Sequence, residues 1–160
     1  MNTECRFARW MPLALTALMV LGVPLRVANA DDWPQILGPN RDGRASNERL
    51  TERFESGGPR LVWELKVGEG FAGVAIVGDR GILFHRANQQ EEVLCFDSQT
   101  GAKRWATPFP ARYAGAIAPD NGPRCVPLIH EDRVIVFGAA GQLHALSLGD
   151  GAVLWSRDLY

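Results

Sequence analysis

The chain has 160 residues, 46% hydrophobic and 22% charged, with a formal net charge of −1. That balance excludes a collagen-like, disordered or nucleic-acid-coating chain, because so small a net charge exerts no long-range pull on phosphate. Gly (17) and Pro (10) make the chain turn-rich, and five Trp are many for this length.

Residues 1–30 read as an export signal. Arg6 and Arg9 form a basic head, Met11 to Val23 is almost wholly apolar, and Ala28-Asn29-Ala30 is a small-x-small cleavage pattern. The apolar run is too short to span about 30 Å of hydrocarbon, which takes roughly 20 residues. No Cys stands directly after Ala30, so a lipid anchor is not expected. Cleavage after Ala30 leaves 130 residues with a net charge of −3 and no transmembrane span. It removes Cys5 and leaves Cys95 and Cys125 in a compartment that permits disulfides. Two separate buried thiols are the default reading and one bridge is the other.

Residues 31–60 form an irregular, Pro- and Gly-containing lead-in, in which Trp33 caps the side of the fold or marks the start of the domain. Residues 61–160 carry a repeat. Val74–Phe84 lies over Val126–Val136 at an offset of 52, and Leu94–Trp105 lies over His144–Trp155 at an offset of 50. The two-residue difference falls in the loop Arg86–Glu92, against the shorter Gly138–Gly141. Each unit, about 73–107 and 125–159, reads as an apolar run, a polar turn (Gly78–Gly81 or His130–Arg133), a β-branched run and a loop. A third run follows, then a Gly-containing turn and a Trp-containing run. That grammar predicts four short antiparallel strands, and no window shows helical spacing. The fold class is therefore all-β.

Four strands in 40–50 residues is one β-propeller blade, and an isolated blade exposes two apolar faces, so blades stack around an axis. Leu61–Val67 carries Trp63, one repeat ahead of Trp105, and reads as an N-terminal closing strand that completes a last blade. Two blades do not close a ring, so the chain is the N-terminal part of a longer protein, or it closes a ring as an oligomer. Trp63, Trp105 and Trp155 hold the same place in their units and are read as inter-blade plates, while Gly101 and Gly151 sit where a tight turn needs positive φ.

Leu94–Trp105 and His144–Trp155 resemble the aromatic/Leu-x-Leu-Asp-x-x-Thr-Gly-x-x-x-Trp signature of pyrroloquinoline-quinone (PQQ)-like propeller repeats. That superfamily includes quinoprotein dehydrogenases and the propeller lipoprotein of the outer-membrane protein assembly machine. Asp32–Gly43 and Asp120–Arg124 are similar to segments of exported members from planctomycete-type bacteria. The resemblance covers residues 32–160. It implies a propeller in the periplasm or cell envelope, and PQQ as the cofactor of the enzyme members. Those enzymes carry adjacent Cys at the cofactor, which Cys95 and Cys125 do not match, and no calcium-ligand set can be placed.

Function is expected on the long connection Ala106–Arg124, since a long loop on a regular scaffold is where sites gather. Its candidate ligand-binding residues are Arg112, Tyr113, Asp120, Asn121 and Arg124: Arg grips carboxylate or phosphate, and Asp and Asn oxygens suit a hard cation. The competing reading is a structural turn, with Arg124 paired to Asp120. His85 and Arg86 end a strand and are weaker candidates. His130 reads as solvated, His144 as a half-buried partner, and the three His do not make a metal site. Ser46, Ser56, Ser98, Ser147 and Ser156 lack an evident base. Glu91 and Glu92 point to opposite faces of a strand or are solvated in a loop. No hydrolase, zinc-protease or nucleotide motif is present, so no catalytic residue and no metal ligand is assigned. The expectation is an exported, non-catalytic propeller acting as a binding or assembly scaffold for envelope proteins or polymers. The alternative is a quinone-dependent dehydrogenase.

Overall fold

Two-residue turns set the strand pairing. Gly78-Asp79 joins β1 (Ala75–Val77) to β2 (Arg80–Ala87), and Glu131-Asp132 joins β5 (Leu128–His130) to β6 (Arg133–Phe137). The computed structural model describes residues 31–46, 52–54, 56–111 and 122–159. The signal segment and Arg112, Tyr113, Asp120 and Asn121 lie outside the described residues. The remaining strands are β3 (Gln90–Asp97), β4 (Lys103–Pro110), β7 (Gln142–Ser147) and β8 (Val153–Asp158). They form two antiparallel four-stranded sheets in chain order, β1-β2-β3-β4 and β5-β6-β7-β8, with no helix among the described residues. This is the all-β, partial-propeller architecture the repeat implies.

The register corrects the repeat alignment. Ala75 pairs with Ile82 and Leu128 with Ile135, so the first halves of the units are offset by 53 residues, not 52. A one-residue slip would turn every side chain to the other face. The loop difference is then three residues. Arg86–Glu92 is no long loop either: the ladder runs to Ala87↔Gln90, and only Asn88 and Gln89 turn, at φ 50° and 64°. Positive φ at both central residues matches the twist of a tight hairpin. The connection after Trp105 also starts later than expected, because Ala106–Pro110 belongs to β4.

The core lies between the sheets. Ala75, Ile82, Phe84, Val93, Cys95 and Phe109 of the first sheet meet Ile129, Val134, Val136 and Leu146 of the second. Trp105 Nε1 donates to Leu148 O at 3.2 Å, and its ring lies against Gly151, where φ is 74°. Trp63 repeats the arrangement on the first sheet: Nε1 donates to Ser98 O at 3.2 Å, the ring lies on Gly101 (φ 72°), and its edge meets Phe96 with centroids 5.6 Å apart. A Cβ at either glycine would stand under 3 Å from indole carbons, so these turns need Gly for space as well as for φ. Trp155, in the third equivalent place, is 40% exposed beside exposed Val153 and Leu154.

Leu61–Val67, expected as a closing strand, has no third strand beside it to pair with among the described residues. It carries no ladder, and the nearest pairing is the bridge between Glu69 and Arg86. The lead-in is less irregular than expected: Trp33 forms an antiparallel bridge with Ile76 of β1.

Candidate functional site

The signature residues hold the framework. Asp97 Oδ1 accepts from Gln99 N, Thr100 N and Thr100 Oγ1 at 2.9–3.0 Å, which caps the turn into β4. A bulge opposite Cys95 and Phe96 sets Arg104 out of the ladder, and its guanidinium bridges Asp97 Oδ2 (2.6 Å) and Asp79 Oδ2 (2.5 Å). Arg104 holds Asp97 at a pKa of about 2 and also lowers Asp79. These groups are partly exposed and locally bonded, which makes them turn chemistry rather than a site.

Glu91 was missed by sequence reasoning. Its residue is 3% exposed, and Oε1 accepts from Ala139 N of the second sheet at 3.0 Å. Burial raises its pKa, partly opposed by that bond. A Cβ on Gly138 would lie 2.5 Å from Glu91 Oε2, so a larger residue there would push this carboxylate aside. No local pattern in the sequence marks this burial, which comes from the contact with Ala139 of the other sheet.

The first sheet carries a groove beside His85. It measures about 730 Å³ and runs between residues 65–69 and the sheet, lined by His85, Arg86, Glu92, Lys66 and Lys103 among others. His85 is 5% exposed and is fixed by Gly68 N, which donates to Nδ1 at 3.0 Å. Gly68 can have no side chain there, since a Cβ would overlap Arg86 O. With Nδ1 accepting, the neutral ring carries its proton on Nε2. Nε2 has no hydrogen-bond partner among the described residues, and its nearest acid oxygen, Glu92 Oε1, is 3.5 Å away. Burial lowers the pKa of His85, against the pull of Glu92. The groove therefore presents a fixed, uncharged donor beside two carboxylates, Glu69 and Glu92, and three cationic side chains. It can hold an acceptor or an anion. An Nε2 that already bears the proton is poorly placed to ligate a metal.

The other predicted residues scatter. Arg124 lies over the Phe71 ring, 5.7 Å from its centroid, while Phe71 N and Ala72 N donate to Pro123 O. This places it at the segments leading into β1 and β5, and it is not among the residues that line the groove. His130 is exposed. His144 is buried rather than half-buried: it stacks on Phe109 at 3.8 Å, and Nδ1 stands 2.7 Å from Ser156 Oγ. Ser156 thus has a base beside it, but no carboxylate is bonded to that His in a triad arrangement. The cysteines are both free. Cys95 is buried as read, whereas Cys125 is exposed, because it precedes β5 outside the packed faces.

The described residues do not fit the quinone that the resemblance implies. The two thiols occupy different environments, and among the described residues no group of three His, Cys, Asp or Glu is placed to hold a metal. No helix among them is long and apolar enough to cross a membrane.

The family model for the outer membrane protein assembly factor BamB matches residues 47–159. Among solved structures, the chain is similar to the BamB of Moraxella catarrhalis, with 22% identity and a TM-score of 0.41, over 58% of this chain and 23% of that one. It is also similar to a europium-containing methanol dehydrogenase, with 23% identity and a TM-score of 0.51, over 62% of this chain and 18% of that one. The second likeness shows the fold. This chain spans less than a quarter of either structure. No curated protein matches it.

Proposed function

The chain belongs to the family of the outer membrane protein assembly factor BamB, built of PQQ-like β-propeller repeats, and from that premise we propose that it is an exported propeller serving as a binding or assembly scaffold in the cell envelope. The observation that supports this reading is the groove beside His85. It offers a fixed donor and flanking charges, which suit binding. Residues 1–30 supply the export signal and residues 61–160 the first part of the ring.

The test is a photo-crosslinking residue at Asn88, on the groove rim, in the full-length protein within its own cells. The expected result is a defined envelope adduct that Lys103→Glu weakens. Recovery of the protein in the cytosol, or no adduct, overturns the reading. The second reading, a quinone-dependent oxidoreductase, has the fold likeness to methanol dehydrogenase in its favour. Dye reduction on adding PQQ with calcium or a lanthanide selects it.

A further inference from the structure

The inner edges of the two sheets are tied by a segment that belongs to neither. Of the strands in different sheets, β1 and β5 come closest, so their free edges face the axis around which the sheets fan out. Free strand edges expose unpaired amides. Here Trp33 N donates to Ile76 O at 2.8 Å and Ile76 N to Trp33 O at 2.9 Å, on β1. Ile129 N, on β5, donates to Pro34 O at 2.8 Å. Gly78 N donates to Asp32 Oδ1 at 2.7 Å. Three consecutive residues thus bond both sheets, and Pro34, which has no N–H, leaves no donor unmet between them.

The chain then folds on itself. Gly38 N donates to Gln35 O, Gly43 N to Leu37 O, and Arg41 Nε to Gln35 Oε1 at 3.0 Å, while Gly38 packs under the Trp33 ring. The result is a self-bonded knob with Ile36 (60%) and Leu37 (53%) exposed on it. We infer that Asp32–Gly43 is a built-in hub plug: it takes the channel that the innermost strands of a propeller enclose and closes that channel to a quinone. The inference stands on the hub geometry and is independent of the scaffold reading. It accounts for a motif, Trp33-Pro34-Gln35 with Gly38 and Arg41, that the repeat does not explain.

Hydrogen exchange on the full chain tests it, because the Ile76 and Ile129 amides point at the plug and away from their sheet partners. Both are expected to exchange ~100-fold slower than free-chain amides. Trp33→Ala with Asp32→Ala is expected to speed both by ~10-fold or more and leave β3 amides slow. Asp32→Ala alone serves if the pair disturbs β3. PQQ with calcium is expected to give no visible-absorbance shift. Fast exchange at Ile76 and Ile129 in the unaltered protein overturns the plug, and a quinone-induced shift overturns the closure.

Discussion

Trp105 Nε1 and Leu148 O stand 3.2 Å apart across the two sheets, and Trp63 Nε1 and Ser98 O stand 3.2 Å apart one repeat earlier. The same indole therefore serves the same joint twice, with a flat apolar plate and one donor aimed at the turn of the next unit. Trp105→Ala is expected to cost about 3 kcal/mol or more, and Trp105→Phe, which keeps the plate and loses the donor, about 1 kcal/mol. Trp155→Ala, at an exposed position, should fall within about 1 kcal/mol. Denaturant melts of the three variants check the order. A loss below about 1 kcal/mol for Trp105→Ala would mean that the plate is not part of the joint.

Glu91 and Gly138 form a size lock between the sheets. Gly138→Ala places a methyl group 2.5 Å from Glu91 Oε2 and is expected to destabilise by about 1–3 kcal/mol. In a Glu91→Ala background the same change should be nearly silent. A double-mutant cycle measures that coupling, and additive effects would place the strain elsewhere.

Acid stability follows from two sets of groups. Asp97 and Asp79 are held below their unfolded value of about 3.9 by Arg104. Their stabilisation is complete above about pH 4 and is lost as pH falls towards 2. His85 and His144 are buried neutral, with pKa values lowered by burial. The unfolded chain binds those protons first, so stability is full above about pH 7 and starts to fall below about 6.5. Thermal melts should show two acid steps. His144→Gln should flatten the upper step and Arg104→Met the lower.

The strand order, the Gly turns and the place of each Trp were legible in the sequence because the repeat carries them twice. The one-residue slip at Ala75–Phe84 arose because two apolar runs align about equally well at offsets of 52 and 53, and only the hairpin ladder decides between them. The burial of Glu91, and of His85 that was named only as a weaker candidate, was not legible for a related reason. Their burial comes from contacts across sheets and from residues 65–69, which no local pattern encodes. Arg124 was chosen for its loop, yet the loop's other candidates lie outside the described residues, and the groove forms on the strands instead.

Residues 31–160 expressed alone, with Val153, Leu154 and Trp155 exposed, should self-associate. Sedimentation is expected to show a concentration-dependent species that Trp155→Glu reduces. An unaltered monomer at all concentrations would mean that the face is covered.

Trp63 also decides what form that association takes. A second copy could lengthen a row of sheets only by slipping its Trp155 into the socket beside Gly101, and that socket is already filled from within the same chain. Growth of filaments by repeated addition is thereby stopped at its first step. Pairing through matching β8 faces leaves that socket undisturbed and ends at two copies.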